Sequence, residues 1–239
     1  MTAVVLAAGM GTRLRPLTDT LPKCLLPVGG MTLLERTFRA LDGAAVDRAV
    51  LVVGYREEQI RKAVDAFNPA LPVDFVVNSQ FAQTNNNVSL WLAGPEAAGD
   101  DILVLDGDIL FHRGILTRIL AAPHDNVLAL REGISVGAEE IKVVADSVGK
   151  VVKIGKEVPA GEAGGESLGI ERFSAIAAAG LFDALERRRG FNEFYEASFQ
   201  EMINAGLALH TVRCGDLPCI EIDTEEDLRE ADRIASAGL

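Results

Sequence analysis

The chain of 239 residues has little of what marks a secreted, membrane-bound or zinc-binding protein. Its three cysteines, Cys24, Cys214 and Cys219, are odd in number and lack the spacing of a zinc site, so we expect free thiols in a reducing, cytoplasmic compartment. No run of about 18 apolar residues is present, which argues against a membrane-spanning helix and a membrane partner. No basic leader precedes the first apolar run, and we therefore expect no signal peptide.

Positive charge is also scarce. The chain has 23 lysines and arginines against 35 aspartates and glutamates, a formal net charge of −12. A nucleic-acid surface needs clustered lysine and arginine to displace counterions, so we expect no nucleic-acid partner. A small anionic substrate must instead be attracted by a local positive segment, or arrive with a divalent cation bound.

The first thirty residues supply such a positive segment. An apolar run over 3–8 ends in a loop that contains Gly9 and Gly11 and carries Arg13 and Lys23. Glycines let the backbone approach a polyanion closely, and the cationic side chains offset its charge. The segment therefore predicts a strand followed by a phosphate-binding loop.

The amino-acid sequence of this loop excludes two common phosphate-binding motifs. A dinucleotide fingerprint needs a third glycine at the start of a helix, but Leu14 stands there and Pro16 follows. A Walker loop ends in Gly-Lys-Ser or Gly-Lys-Thr, whereas this loop ends in Pro22-Lys23-Cys24.

Strand and helix patterns alternate through the first half of the chain. Strands are predicted over 2–8, 47–53, 73–77 and 101–105. Helices are predicted from Thr32, over 57–67 and over 88–97. Thr32 and Glu35 have the spacing of a capping box at the start of the first of these helices. This alternation predicts an α/β protein with a parallel sheet and helices on both faces.

The second half has a different pattern. Four apolar strands without intervening helices predict antiparallel pairing, at 127–130, 141–144, 151–154 and 168–170. Helices are then expected over 174–188 and 193–204, strands near 207–213 and 219–222, and a last helix from Thr224. The length predicts one domain.

Two pairs of carboxylates follow predicted strands. Asp106 and Asp108 come after the strand that ends at 105, and Glu221 and Asp223 come after a later strand. Residues i and i+2 of an extended segment point the same way, and ligands of an open parallel sheet bind at the carboxyl ends of its strands. Hard oxygen ligands beside a polyphosphate suit Mg²⁺. The alternatives are a solvated Asp-Gly turn and, for the acids that follow Thr224, ordinary helix capping.

The segment from Leu6 to Val28 resembles the signature of a known enzyme family. It reads Leu-Ala-Ala-Gly-x-Gly-Thr-Arg-x-x-Pro-x-Thr-x-x-x-Pro-Lys-x-Leu-Leu-Pro-Val, which is similar to the nucleotidyltransferases that make nucleoside-diphosphate sugars and alcohols. With the two carboxylate pairs, the resemblance extends over nearly the whole chain. It implies a GT-A-like, Rossmann-like α/β fold with a mostly parallel central sheet, helices on both faces and an antiparallel acceptor-binding lobe. Residues 1–125 would then form the nucleotide-binding half of one domain, and residues 126–239 the acceptor-binding half.

The resemblance also implies a reaction and a set of roles. An acceptor phosphate attacks the α-phosphate of a nucleoside triphosphate and pyrophosphate leaves. Arg13, on the β- and γ-phosphates, and Lys23, on the α-phosphate, are the catalytic candidates; Asp108 and Asp223 would hold Mg²⁺, with Asp106 in support. The nucleotide-binding candidates are Leu6, Ala7, Ala8, Gly9, Gly11, Thr12, Arg13, Lys23, Asn78, Asn85, Asn86 and Asp106. A phosphate dianion is already a nucleophile, so no general base is required, and His112, His124 and His210 receive no role.

The asparagine-rich segment bears on the choice of nucleotide. Residues 84–90 lack the glycine-rich stretch of the sugar-phosphate enzymes and resemble the paired asparagines of cytidylyltransferases that act on phosphocholine, inositol phosphate and phosphonates. Each amide offers a donor and an acceptor, as the edge of cytosine does, so CTP is the favoured donor. Asn87 has the alternative of capping the helix that follows.

The acceptor site is less determined. The resemblance places the acceptor-binding candidates at Lys142, Lys156, Glu171, Tyr195, Glu196 and Glu221. Carboxylates beside an aromatic ring suit an ammonium group, but one tryptophan and two tyrosines are few for an aromatic cage, and a polyol could bind the same carboxylates. Both lysines could also be solvated strand residues.

Two other functions stay open. One is a sugar-1-phosphate nucleotidyltransferase that uses UTP, dTTP or GTP. The other is a non-catalytic nucleotide-binding regulatory protein, which the presence of Arg13, Lys23, Asp108 and Asp223 together disfavours.

Overall fold

The computed structural model describes residues 1–133, 137, 139–190 and 192–239. A nine-stranded sheet forms the centre of the molecule. Its strands are β1 Thr2–Ala7, β4 Arg48–Val53, β5 Val73–Val77, β6 Ile102–Asp106, β8 Val127–Glu132, β9 Lys142–Ala145, β10 Val151–Gly155, β11 Gly165–Phe173 and β12 His210–Arg213. Two small sheets pair β2 Pro27–Val28 with β3 Met31–Thr32, and β7 Ile109–Phe111 with β13 Cys219–Glu221. The helices are α1 Leu33–Leu41, α2 Glu57–Phe67, α3 Asn86–Leu92, α4 Gly94–Ala97, α5 Gly114–Ala121, α6 Ala175–Arg188, α7 Glu196–Asn204 and α8 Glu225–Ser236.

The amino-terminal half of the sheet is parallel, as predicted. β1 lies between β4 and β6 and runs parallel to both, and β4 runs parallel to β5. Successive residues of β1 face opposite hydrophobic clusters: Val5 packs with α1 and α2, and Val4 packs with α3 and α6. Because both faces of the strand are covered, its sequence is continuously apolar.

The carboxy-terminal half is antiparallel around β11. This strand pairs antiparallel with β6, β8 and β9, and β9 pairs antiparallel with β10. β12 instead runs parallel to β8, which the long connection through β11, α6 and α7 makes possible. The mixed sheet confirms the predicted fold class, a parallel α/β sheet extended by antiparallel strands.

Three local predictions differ from the structure. The helix predicted over 88–97 begins at Asn86 and is divided into α3 and α4, because Pro95 has no N–H and occupies the first turn of a new helix. β7 and α5 were not predicted. β7 has three residues, too few for a periodic signal, and α5 begins at Gly114 without a side-chain cap.

Of the helices that the structure describes, none combines the length and the apolar character that crossing a bilayer demands.

Candidate active site

A cavity of about 630 Å³ lies at the carboxyl ends of β1 and β6. Its walls come from the end of β1, the loop that follows it, the segment before α3, the turn after β6, and parts of β8, β11 and β13. The position is the one expected for a ligand of an open parallel sheet, and the volume suits a small molecule.

The loop after β1 folds back so that Lys23 lies under Gly11. Gly11 has a φ of 58°, and a Cβ atom there would lie 3.0 Å from the Lys23 Cβ and 3.2 Å from the Thr18 Cγ2, so glycine is required. The Thr18 hydroxyl donates to the Gly11 carbonyl at 2.7 Å. The wall formed by this segment consists of Leu6, Ala7, Ala8, Gly9, Gly11, Thr12, Arg13 and Lys23.

The two carboxylate pairs, far apart in sequence, meet beside this loop. β13 pairs with β7 so that Glu221 lies opposite Ile109, and the Ile222 N–H donates to the Asp108 carbonyl at 3.0 Å. Gly107 lets the turn after β6 cross β1 closely, since a Cβ atom there would lie 2.3 Å from the Leu6 carbonyl oxygen. One carboxylate oxygen each of Asp108, Glu221 and Asp223 lies within 4.8 Å of the others.

Two cations neutralise these carboxylates. The Lys23 Nζ lies 2.8 Å from the Asp108 Oδ2 and 2.7 Å from the Asp223 Oδ1, and the Arg13 Nη2 lies 2.7 Å from the Asp223 Oδ2. Burial alone lowers the pKa of Lys23, but Asp108 and Asp223 outweigh this effect and raise it. Burial raises the pKa of Asp223, whereas Lys23 and Arg13 lower it further than burial raises it. Lys23 and Asp223 are therefore held in their charged forms.

The same carboxylates fit a divalent cation. Burial, followed by the nearness of Asp108 and Asp223, raises the pKa of Glu221 to about 8, which reflects crowding of negative charge. Three converging carboxylate oxygens are hard donors of the kind that Mg²⁺ prefers, with phosphate oxygens and water as its remaining ligands.

Asn85 and Asn86 line the cavity, and Asn87 does not. The helix cap is Asn85, whose Oδ1 accepts from the Asn86 N–H at 2.8 Å. The Asn86 Oδ1 accepts from the Tyr195 N–H at 3.0 Å. Asn87 lies buried within the first turn of α3, so the proposal that it caps the helix is wrong by two positions.

Asn78 lies behind this wall rather than on it. It is buried, and its Nδ2 donates to the Thr84 hydroxyl at 3.1 Å and to the Ser89 hydroxyl at 3.0 Å. Asn78 therefore supports the segment that carries Asn85. Thr84 and Ser89 both line the cavity, although no pattern in the sequence pointed to either residue.

A group of buried carboxyls lies next to the metal candidates. The Tyr195 hydroxyl donates to the Asp106 Oδ2 at 3.2 Å, and the Ser167 hydroxyl donates to the Glu171 Oε1 at 2.9 Å. Glu171 and Glu196 each keep one buried carboxylate oxygen without a hydrogen-bond partner among the described residues. Asp106 and Glu196 line the cavity, whereas Glu171 and Tyr195 stand behind its wall.

Burial dominates the titration of this group. Burial, and then the nearby Glu196, raises the pKa of Glu171 to about 8. Burial raises the pKa of Glu196 to about 7, with Lys156 opposing the shift. A ligand that brings positive charge or N–H donors to this wall would meet the carboxyl oxygens that have no hydrogen-bond partner among the described residues.

The structure separates the two lysines predicted for the acceptor. Lys156 lines the cavity; its Nζ lies 4.2 Å from the centre of the Phe194 ring and 3.3 Å from the Glu139 Oε2. Lys142 is buried away from the cavity, with its Nζ donating to the carbonyls of Gly137 and Glu140 at 3.2 Å each. Of the two lysines predicted to bind the acceptor, only Lys156 lines the described part of the cavity, and acceptor binding by Lys142 stays a prediction.

Arg131 and Glu166 also line the cavity, although no pattern in the sequence pointed to them. They lie opposite each other on β8 and β11, and the Arg131 Nη1 lies 3.0 Å from the Glu166 Oε1. The Arg131 Nη2 donates to the Cys219 carbonyl on β13. The signal that identifies this pair is the strand register, which a single sequence does not reveal.

The cysteines and histidines either lie outside the cavity or have a side chain of low reactivity. Cys24, Cys214 and Cys219 are free and buried; Cys24 and Cys219 line the cavity, but burial raises the pKa of each thiol to about 12. No histidine is among the described residues that line the cavity. Two of the histidines, His124 and His210, lie outside the cavity, and their ring centroids are stacked 3.7 Å apart.

Comparison with known proteins gives consistent matches. A family model described as MobA-like NTP transferase domain matches residues 3–190. The CMP-5'-(3-aminopropyl)phosphonate synthase of Streptomyces rubellomurinus is 31% identical over 239 residues, and the match spans 96% of this chain but only 38% of that protein. The choline-phosphate cytidylyltransferase of Streptococcus pneumoniae is 26% identical over 242 residues, with 98% of both chains covered. The structure of the inositol-1-phosphate CTP transferase from T. maritima superposes with a TM-score of 0.81 at 22% identity, covering 100% of this chain and 97% of that one.

Proposed function

Since the chain belongs to the family of MobA-like NTP transferase domains, we propose that it transfers CMP from CTP to a small phosphate or phosphonate acceptor. The acceptor oxygen would form a bond to the α-phosphorus, the bond from that phosphorus to the bridging oxygen would break, and pyrophosphate would leave with the bonding electrons. The observation that carries the proposal is the meeting of Arg13 and Lys23 with the carboxylates of Asp108 and Asp223 at the end of β1.

The site residues would act by position and charge. Asp108 and Asp223, with Glu221 beside them, would hold Mg²⁺, which supplies positive charge to the triphosphate when bound. Lys23 would then contact the α-phosphate and Arg13 the leaving pyrophosphate, while Asp106 supports the metal ligands. The acceptor dianion is itself the nucleophile, so no side chain needs to remove a proton.

The preference for CTP rests on Asn85 and Asn86. Both residues line the same cavity as Ala7 and Ala8, and an amide offers a donor and an acceptor to a base edge. The three proteins compared above also carry cytidylyl chemistry in their names. Together these observations support cytosine over the other bases.

The acceptor half of the cavity supports a substrate with an amino group at its far end. Glu196 lies on the wall and is almost fully buried, and Glu171 lies behind it; each has one oxygen that finds no hydrogen-bond partner in the described part of the chain. The aromatic rings that line the described part of the cavity are Phe81 and Phe194, and Lys156 already covers Phe194. An aminoalkyl phosphonate or phosphate fits this wall better than a quaternary ammonium, which has no N–H to donate.

In this assignment residues 1–125 bind the nucleotide and residues 126–239 the acceptor, as two halves of one domain.

The test is pyrophosphate release from each triphosphate with a panel of acceptors. CTP, UTP, dTTP, GTP and ATP are each incubated with 2-aminoethylphosphonate, phosphoethanolamine, phosphocholine, inositol 1-phosphate and glucose 1-phosphate in Mg²⁺. We expect CTP to give at least about tenfold higher kcat/KM than UTP, since an unmatched base leaves buried polar groups unpaired. CTP among the poorest donors would overturn the proposal, and turnover of glucose 1-phosphate with UTP or dTTP would replace it with sugar-phosphate chemistry. Nucleotide binding without pyrophosphate from any pair would identify a non-catalytic protein.

Variants of the asparagine segment sharpen this test. Asn85→Ala and Asn86→Ala should lower kcat/KM for CTP more than for UTP. Gln83→Ala, an exposed change in the same segment away from the cavity, is the matched control and should leave the ratio unchanged.

A further inference from the structure

Two positively charged side chains of the cavity, Lys156 and Arg131, have no part in the function proposed above. Of the described residues that line the cavity, four are positively charged: Arg13, Lys23, Lys156 and Arg131. The first two contact the metal carboxylates, and Lys156 lies over Phe194. Arg131 lies on the wall built from β8, β11 and β13, and 25% of its side chain is exposed.

Two strands hold the Arg131 guanidinium. On β11, the Glu166 Oε1 lies 3.0 Å from the Arg131 Nη1. On β13, the Cys219 carbonyl accepts from the Arg131 Nη2. A guanidinium has five N–H donors in one plane, so these two contacts leave donors for an anion in the cavity.

The contact with β13 fixes Arg131 relative to the metal carboxylates. Cys219 and Glu221 are two residues apart on one strand, a separation of about 7 Å. Glu221 belongs to the three-carboxylate group, where the α-phosphate would be held. Arg131 and the carboxylates therefore line one part of the cavity, and an acceptor bound to Arg131 is within reach of this phosphate.

We propose that Arg131 binds the phosphate or phosphonate dianion of the acceptor, and that Glu166 is the counter-ion that the dianion displaces. The proposal rests on the function proposed above and gives it an acceptor-binding residue. Arginine matches the planar, two-oxygen edge of a phosphate or phosphonate. Glu166 is a weaker partner than a dianion, since it is a monoanion and lies almost fully buried.

Glu166 is also held in a setting that favours its release from Arg131. Burial raises the pKa of Glu166, and Arg131 opposes that shift. The nearby Glu140, which lines the same cavity, adds to the rise. When a dianion takes Arg131, the Glu166 carboxyl can therefore become neutral.

The competing explanation is that Arg131 only ties β8, β11 and β13 together. The chain offers a matched control for this role. The Arg118 Nη2 lies 2.7 Å from the Asp216 Oδ2 and its Nη1 donates to the Arg213 carbonyl at 3.0 Å, so it too joins a carboxylate and a backbone carbonyl. Neither Arg118 nor Asp216 is among the residues that line the cavity.

The test is calorimetric titration of methylphosphonate into the protein, with and without α,β-methylene-CTP and Mg²⁺. Wild type and Arg118→Gln should bind the probe alike, and Arg131→Gln should bind it at least about tenfold more weakly. Arg131→Lys should fall between them, because lysine keeps the charge but loses the planar fork. Glu166→Gln should bind methylphosphonate more tightly than wild type, since the competing charge is gone; a structural pair gives no such gain.

Three results would overturn the proposal: no saturable binding to wild type, unchanged binding to Arg131→Gln, or weaker binding to Glu166→Gln. Melting temperatures of all variants show whether folding is retained, and the lysine and Glu166 variants keep the test valid if Arg131→Gln unfolds.

Kinetics separate this proposal from the one on which it rests. With an accepted acceptor and CTP, Arg131→Gln should raise the acceptor KM about tenfold or more and leave the CTP KM within about twofold. Pyrophosphate release with an unchanged acceptor KM would refute the role of Arg131 alone. Binding of methylphosphonate that depends on Arg131, without pyrophosphate release from CTP, would refute cytidylyl transfer and leave a phosphonate site.

Discussion

Among single residues, Lys23 connects the loop after β1 to the carboxylates of Asp108 and Asp223. Its Nζ lies between Asp108 and Asp223 and neutralises both carboxylates. Gly11 has no Cβ atom, which leaves room for the Lys23 side chain. A side chain held in this way is positioned before the substrate arrives, so little reorganisation is needed when charge develops on the α-phosphate.

Replacing Lys23 should abolish turnover while the fold is kept. Lys23→Ala should lower the rate of pyrophosphate release by about 100-fold or more, because a positioned donor of this kind is lost. Arg15→Ala is the control: Arg15 belongs to the same loop, is exposed, and pairs with Asp19 away from the cavity. Circular dichroism verifies folding, and a fully active Lys23→Ala protein would contradict the mechanism.

The metal ligands make a separate prediction at this scale. Asp223→Asn keeps the size of the side chain but removes its charge, so the Mg²⁺ concentration for half-maximal rate should rise on the order of 10–100-fold. Asp216→Asn, an exposed change outside the cavity, should leave the Mg²⁺ titration unchanged. If both curves match wild type, Asp223 is not a ligand.

At the scale of elements, the start of α8 connects helix stability to the site. Thr224 and Asp227 form a capping box, and the same Asp227 Oδ2 accepts from the Asp223 N–H at 3.0 Å. The cap therefore fixes the backbone of Asp223, the residue immediately before it. Ser174 caps α6 in a similar way, accepting from the Ala177 N–H, at a distance from the cavity.

These two caps give a matched pair of variants. Thr224→Ala and Ser174→Ala should each lower the free energy of unfolding by about 1 kcal/mol, as measured in urea. Only Thr224→Ala should also raise the Mg²⁺ requirement, because only this cap orients Asp223. An equal effect of both variants on the Mg²⁺ requirement would show that general stability, and not the cap, is responsible.

Sequence patterns predicted elements well where apolar residues recur along the whole element or a capping motif marks its start. α2 and β5 begin and end at the predicted residues, and Thr224 caps α8 as the sequence indicated. Elements without such a signal were missed: β7 is held in place by pairing with β13, over 100 residues away in the chain. The cap of α3 at Asn85 was misplaced because three consecutive asparagines offer equal candidates.

The buried carboxyls make the stability of the whole molecule depend on pH. The pKa of Glu171 is raised from 4.5 to about 8 by burial and by Glu196, whose own pKa is about 7; Asp106 and Tyr195 face the same group. The folded state thus holds protons that the unfolded chain releases above pH 4.5. The free energy of unfolding should therefore fall as pH rises from about 4.5 to about 8, by about 1.4 kcal/mol per unit of pKa shift for each group.

Glu171→Gln tests this dependence. The variant should melt at nearly the same temperature as wild type at pH 5, and its melting temperature should fall less between pH 5 and pH 8. Glu201→Gln is the control, because Glu201 is a partly exposed glutamate on α7 whose pKa is lowered by its hydrogen bond to Arg187. Parallel curves for wild type and Glu171→Gln would show that Glu171 is not the group that titrates.

The sequence by itself determined that the loop from Gly9 to Lys23 and the two carboxylate pairs follow strands, and that a parallel first half of the sheet is extended by antiparallel strands. Each of these depends on residues close together in the chain, where spacing alone limits the geometry.

Only the tertiary structure decided which distant side chains share the cavity. It joined Asp223 to Lys23 across 200 positions, placed Arg131 on the wall, and buried Lys142 outside the cavity that Lys156 lines. These positions depend on strand register and on the path of the chain between strands. A shift of one residue in a strand turns every side chain to the other face, and no local pattern in the sequence records that choice.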